Sequence, residues 1–415
     1  MVSESDRAIG RSPAPDDTIA FLRSGYLYGT RRFRDLATDA YDARLGGIGG
    51  VVMYGRDAAS VFYGGDRFSR ERAIPTSVQH LLQDEGSVQT LEGPAHEHRK
   101  SMFMRMLDEP NVDRLVDEFD REWAKVRAEH AGQTVPLYDV GNLVLTRTAL
   151  AWAGVPAGTV DDRELAGRLA AMVDAASAVG PVNWIARARR RRAEAWAAHL
   201  IADVRAGHIE TASHTAIRTI ADAGDHHDAP LPEEVAAVEV LNLLRPIVAI
   251  SRFLVFAVHA MHTHPAWRAR LDDDPEAAGR FANEVRRFYP FFPVISGTVR
   301  RSFEWRERRF EPGDRAILDL YATNHDRRIW EEPRRFLPER FEAWDGDPNT
   351  LVPQGGGAAA TGHRCPGEAA TIALTARFAR LAASRPFEVP EQDLRISLRH
   401  IPALPMDRMR IAMRK

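Results

Sequence analysis

Gly355-Gly356-Gly357-Ala358-Ala359-Ala360-Thr361-Gly362-His363-Arg364-Cys365-Pro366-Gly367-Glu368 holds the one cysteine among 415 residues, and the use of that sulfur governs the reading of the whole chain. A lone thiol cannot close an internal disulfide, which leaves packing, nucleophilic chemistry or metal ligation. Pro366 suits the first position of a helix, and the residues from Gly367 to Thr371 continue as helix-compatible sequence. A sulfur just ahead of a helix faces unpaired backbone N–H groups and the positive end of the dipole, which favour thiolate over thiol. Glycines in the upstream Pro353-Gln354-Gly355-Gly356-Gly357 let the backbone lie flat against something bulky. A thiolate on such a shelf fits a fifth ligand to haem iron. A buried free cysteine beside a flexible loop fits the same residues equally well.

Hydrophobic residues make up 44% and charged residues 27%, the profile of a water-soluble globular protein with ample core. The formal net charge of −2 gives no electrostatic basis for nucleic-acid binding or for attachment to an anionic membrane. Residues 1–17 are polar and contain Pro13 and Pro15, so a disordered tail is expected there, followed by a single large domain over 18–415. The most apolar long segment, Ile247 to Met261, is too short to span a bilayer and carries Arg252, so no membrane anchor is expected. One cysteine also argues against a disulfide-stapled secreted protein, which makes the cytoplasm the expected compartment.

Most of the chain has helical periodicity. Helices are expected over Val112 to Glu129, Leu143 to Ala153, Glu164 to Ala178 and Ala278 to Phe288. Glu233 to His262 is apolar nearly all round and is expected to be buried, with Pro246 in its middle. Short strands are expected near Val51, Gly297 to Val299, Phe303 to Trp305 and Ala316 to Leu320. The class is mainly α with a minor β part. Three patterns point to structure more than to chemistry. Gly46-Gly47-Ile48-Gly49-Gly50 lacks the dinucleotide-binding spacing and reads as a turn. Arg187 to Arg192 reads as a solvated helix face, and His226-His227-Asp228 as polar loop surface.

Three further motifs accompany the cysteine. Glu284 and Arg287 stand at i and i+3 on one helical face, Pro338-Glu339-Arg340-Phe341 lies downstream, and His96 and Lys100 share a face at i and i+4. Together with Cys365 they resemble the cytochrome P-450 superfamily over nearly the whole chain. The resemblance implies that fold and haem b with Cys365 as axial thiolate. It also implies propionate contacts from His96, Lys100, His363 and, more weakly, Arg70, and a structural network of Glu284, Arg287 and Arg340. The pattern departs at two points of the cysteine loop, where Ala358 and Thr361 replace the usual phenylalanine and glycine.

The long apolar helix departs as well. Most members of the superfamily place an acid or amide before a threonine there, whereas this chain has Leu244-Arg245-Pro246-Ile247. A guanidinium is costly in an apolar helix unless paired, and the i±3 and i±4 neighbours are Leu241, Asn242, Val248 and Ala249. Arg245 therefore either reaches a distant acid across the fold or forms a two-pronged socket for a substrate carboxylate, the preferred reading. The Arg-Pro pair with the glycine run is similar to the fatty-acid peroxygenase branch. That branch implies medium- to long-chain fatty acid and hydrogen peroxide as reactants, a carboxylate held by Arg245 as the acid–base group, and no required redox partner protein. Gln89 matches a position where glutamine accompanies α- or β-hydroxylation and histidine accompanies decarboxylation. Phe292 and Val294 are expected along the acyl channel. A decarboxylase, a partner-driven monooxygenase and a non-catalytic haem-thiolate sensor are the alternatives.

Overall fold

The computed structural model describes residues 8–71, 73–74, 76–82, 86–385 and 387–414. Helix accounts for 51% of the chain, so the expected class holds. The strands are β1 (Gly10–Arg11), β2 (Ala40–Leu45), β3 (Ile48–Met53), β4 (Phe68–Ser69), β5 (Thr134–Pro136), β6 (Val294–Val299), β7 (Phe303–Trp305), β8 (Arg308–Phe310), β9 (Arg315–Asp319) and β10 (Arg410–Ala412). The chain packs as two compact units. One takes the described residues up to Thr76 together with Arg286–Cys365 and Ser397–Ala403, and the other takes most of the remainder.

The first unit is built on a six-stranded sheet of order β1-β2-β3-β9-β6-β4. Leu45 pairs with Ile48 across a two-residue turn in which Gly46 and Gly47 both have positive φ, the requirement of a tight hairpin turn. The expected glycine-rich turn is therefore the β2–β3 hairpin. Alternation along the strands sends Val51, Met53, Ala316 and Leu318 to one face, where they pack with Phe62, Phe68 and Phe310. Val52 and Ile317 go to the other face with Tyr28, Phe33 and Tyr41. The expected disordered tail needs correction over its described part. Gly10 and Arg11 pair with Tyr41 and Asp42, and the buried Asp17 binds Arg32 at 2.5 Å, so backbone pairing and an ion pair hold this polar stretch. Residues 1–7 of that expectation lie outside the described residues. Between Phe303–Trp305 and the Pro312-Gly313 turn the sequence concealed β8, because Arg308-Arg309-Phe310 is too short and too charged to read as a strand.

Asp319 ends β9 and caps the next helix by accepting the Ala322 N–H at 2.7 Å. Its other oxygen lies where a Cβ on Gly29 would stand, which explains the glycine. Burial pushes the Asp319 carboxyl up to about 7. Between about pH 4 and 7 the unfolded chain thus gives up a proton that the native chain keeps, and stability falls as pH rises through that window. Asp319→Asn keeps the cap acceptor and removes the titration. It is expected to stabilise the protein by about 2–4 kcal/mol at pH 8 and by nearly nothing at pH 4. Urea midpoints at the two pH values check this, and an equal effect at both would refute it.

The second unit is mainly helical, with β5 and β10 paired antiparallel. Glu233–Ala249 and Ser251–Thr263 form a nearly continuous run of 31 residues whose most apolar 18-residue window has mean hydropathy 1.7, long and apolar enough to cross a membrane, yet 89% of that window is buried inside the protein. The expected buried helix is thus a core helix. It is broken at Ile250, whose N–H reaches back only to Ile247 O. Pro246 supplies no N–H for the Asn242 carbonyl and so weakens the helix one turn earlier. Pro181–Arg205, 25 residues long, packs Ala186, Arg190, Ala193, Ala197 and Leu200 inward. Arg190 is buried against Glu194 at 2.6 Å, while Arg189, Arg191 and Arg192 are exposed, so the basic run is chiefly a solvated face. His226, His227 and Asp228 are exposed in a turn, and no His/Cys/Asp/Glu group suited to a metal ion occurs among the described residues.

Candidate functional site

In the sheet-bearing unit the half-buried Cys365 is fixed at its backbone, its N–H donating to Gln354 O at 3.1 Å. The Gln354 side chain lies against the sulfur, with Nε2 3.8 Å from Sγ. Its orientation is forced from behind. Arg286, almost fully buried, donates Nε–H to Gln354 Oε1 at 3.0 Å, and a guanidinium only donates, so the amide must turn its N–H₂ toward the sulfur. An N–H aimed at sulfur stabilises thiolate over thiol. The glycine run lies flat, as expected, but against a protein ring. A Cβ on Gly356 would stand 2.9 Å from the Tyr63 ring, and one on Gly357 2.6 Å from Tyr63 Cβ. At Ala358 and Thr361, where the family pattern is broken, the loop closes as a turn. Gly362 N–H reaches Ala358 O at 3.0 Å, and a Cβ on Gly362 would stand 2.7 Å from that oxygen. Pro366 is not the first helical residue: the helix runs Glu368–Ser384 with Gly367 as its cap.

Arg70 belongs to this unit. It is buried, donates to Ser296 O at 2.8 Å and lies 4.7 Å over the Phe62 ring. His363, half-buried, sits in the cysteine loop itself. Phe292 packs on the Phe62–Phe68 face of the sheet and Val294 on the Tyr41–Ile317 face, so the described core contacts do not set the two side by side.

Arg245 lies in the helical unit and is 6% exposed. Its Nη1 donates to Leu81 O at 3.2 Å and its Nη2 to Asn242 Oδ1 at 3.3 Å, both neutral acceptors. Asn242 Nδ2 in turn donates to Glu239 Oε2 at 2.9 Å. Glu239 Oε1 accepts from Arg99 Nη1 at 2.6 Å and from Val88 N–H at 2.9 Å. Burial pushes the Glu239 carboxyl up, against the bonds from Asn242 and Arg99 that favour its charged form. Gln89 follows Val88 and accepts from Ser87 Oγ at 2.9 Å. His96 and Lys100, both buried, share the Gly93–Met106 helix with Arg99. One chain of hydrogen bonds thus links the helix carrying Arg245 and Pro246 to the loop carrying Gln89 and to the helix carrying His96 and Lys100.

Of the expected Glu284–Arg287–Arg340 network, the two arginines meet at one carbonyl. Arg287 donates to Asn324 O, Pro333 O and Arg335 O, and Arg340 also reaches Arg335 O, at 3.3 Å. The sequence showed both arginines but not the carbonyls they hold. Gln354, Arg286, Glu239 and Asn242 were missed as site residues. Gln354, Glu239 and Asn242 left a signal, as polar or charged residues in the glycine loop and in an otherwise apolar helix, whereas Arg286 lies in a helix already rich in charge.

The chemistry of the sheet-bearing unit fits a haem thiolate: one sulfur faced by an amide donor, with the basic Arg70 and His363 in the same unit. Comparison with known proteins agrees. The cytochrome P-450 family model matches residues 280–377. Among solved structures, cytochrome P450EX alpha with myristic acid is 38% identical with a TM-score of 0.94, covering 98% of each chain. Cytochrome P450SP alpha in complex with (R)-ibuprophen is 39% identical with a TM-score of 0.92, covering 96% of this chain and 99% of that one. A variant of cytochrome P-450 OleT in complex with arachidonic acid is 32% identical with a TM-score of 0.94, covering 98% of each. Cytochrome P-450 3A11 of Mus musculus is 25% identical over 152 residues. That match takes in 32% of this chain and 30% of the mouse protein, so it spans less than a third of that curated relative.

Proposed function

The chain belongs to the cytochrome P-450 family, a family of oxidoreductases, and from that premise we propose that it hydroxylates medium- to long-chain fatty acids at the α or β carbon with hydrogen peroxide as oxidant. The observation that carries this reading is Arg245, a buried guanidinium on the apolar helix at the position of the usual acid, which donates to Leu81 O and Asn242 Oδ1. Such a group suits a carboxylate ligand. The carboxylate bound there is the acid–base group: it takes a proton from one peroxide oxygen and returns it to the other. The net reaction is fatty acid plus hydrogen peroxide to hydroxy fatty acid plus water. Cys365 would hold haem b through its thiolate, with the Gln354 amide donating to the sulfur, and His96, Lys100, His363 and Arg70 would meet the propionates. Such a haem supplies the oxidising chemistry, and thiolate donation favours O–O cleavage.

Tethering the carboxylate fixes which carbons reach the oxidant, so regiochemistry follows from the socket. Gln89 favours hydroxylation over decarboxylation, because an amide has no pKa near neutrality with which to donate a proton. The pairing of a fatty acid with peroxide requires no redox partner protein, and the cytoplasm is the compartment we assign. Turnover of a fatty-acid series with peroxide alone, set against dioxygen with a ferredoxin and its reductase, tests the reading. Hydroxy acids from peroxide alone are expected. Terminal alkenes as the main product, or turnover only with the reductase system, would overturn it.

A further inference from the structure

We infer that Glu239 is a positioning residue that sets the plane of Arg245 through Asn242, an inference that rests on Arg245 being the carboxylate socket. Glu239 is fully buried on the same helix, six residues before Arg245, too far along the helix for direct i,i+4 contact. Its carboxylate is held from three segments: by Val88 N–H ahead of Gln89, by Arg99 beside Lys100, and by Asn242 from its own helix.

An ionised carboxylate only accepts and a guanidinium only donates. An amide placed between them has one satisfactory orientation, N–H₂ to Glu239 and oxygen to Arg245, which is the one found. Asn242 Oδ1 and Leu81 O then hold the two terminal nitrogens of Arg245 separately, and two bonds on different nitrogens fix the guanidinium plane. A two-pronged contact to carboxylate depends on that plane.

Glu239→Gln changes the order of donors with almost no change in volume. The new amide cannot accept at both ends, since Oε1 serves Arg99 and Val88. Its N–H₂ group therefore comes to face Asn242, which must turn over and present N–H₂ to Arg245. The guanidinium then loses the Asn242 acceptor on Nη2 and keeps Leu81 O on Nη1, so these two bonds no longer fix its plane together. Affinity for the carboxylate should fall while affinity for the acyl chain stays.

The experiment measures dissociation constants of myristate and methyl myristate on haem-loaded protein by calorimetry, for wild type, Glu239→Gln, Asn242→Ala and Arg245→Ala. In Glu239→Gln, myristate binding is expected to weaken about tenfold with methyl myristate changed less than twofold. A merely structural role would weaken both ligands together, and that result overturns the proposal. Asn242→Ala removes the same link without disturbing Arg99, so it keeps the test readable should Glu239→Gln fail to fold. If Arg245→Ala loses the preference for acid over ester while both other variants retain it, the positioning role alone is wrong. If Arg245→Ala retains the preference, the socket itself is wrong.

Discussion

Arg245→Ala is expected to lower peroxide-driven fatty-acid hydroxylation by at least about a hundredfold, with haem content and the thiolate signature of the ferrous–CO complex unchanged. The magnitude follows from removing a charged, desolvated partner of the substrate carboxylate, a loss of about 3–5 kcal/mol where each 1.4 kcal/mol is tenfold. Haem content serves as the folding control, because Leu81 O and Asn242 Oδ1 each lose a donor at about 1–3 kcal/mol while Asn242 keeps its bond to Glu239. The same socket predicts that an alkane or alkylbenzene is inert alone but is oxidised when a short carboxylic acid is added to supply the missing proton carrier. In Arg245→Ala the additive should do nothing. A hydrocarbon turned over equally well without acid would refute the mechanism, and so would an Arg245→Ala protein as active as wild type.

What could be read from the sequence was whatever has a local signature. The buried helix at Glu233–Ala249 announced itself by apolar residues all round it, and the β2–β3 hairpin by two adjacent glycines that both need positive φ. The cysteine loop was legible because a lone thiol has few uses. What stayed hidden depended on contacts between distant segments. No acid stands at i±3 or i±4 of Arg245, and a relay through the Asn242 amide to Glu239 at i−6 leaves no mark in helical spacing. The glycine shelf announces something bulky lying against it, but nothing local says that the neighbour is Tyr63, about 290 residues earlier. Gln354 shows in the sequence only as a polar residue of the glycine loop. Its role appears only once Arg286 is seen to fix the amide.

Arg287→Lys is expected to destabilise the protein by about 3–5 kcal/mol, a large share of the 5–15 kcal/mol typical of a folded domain. Arg287 is 1% exposed and uses the width of its fork: Nη1 donates to Asn324 O at 2.9 Å and Pro333 O at 3.0 Å, and Nη2 to Arg335 O at 3.3 Å. These carbonyls belong to separate points along residues 324–335, so the guanidinium is what gathers that segment against its own helix. The ring of Trp330 lies 5.7 Å from its central carbon and covers the charge. An ammonium keeps the charge but concentrates its donors at one point, so it cannot span carbonyls gathered by both ends of the fork. Each carbonyl left without a donor costs about 1–3 kcal/mol. Arg340 does not replace the loss, since it already holds Glu331 O and shares Arg335 O. Urea unfolding should show a lower midpoint with an unchanged slope, because the exposed surface on unfolding stays the same. Arg287→Ala should go further and fail to accumulate as soluble protein. Residual activity per haem in Arg287→Lys should stay near wild type, the reverse of the Arg245 pattern. A variant that kept its stability and lost its turnover would place Arg287 in the chemistry and not in the frame.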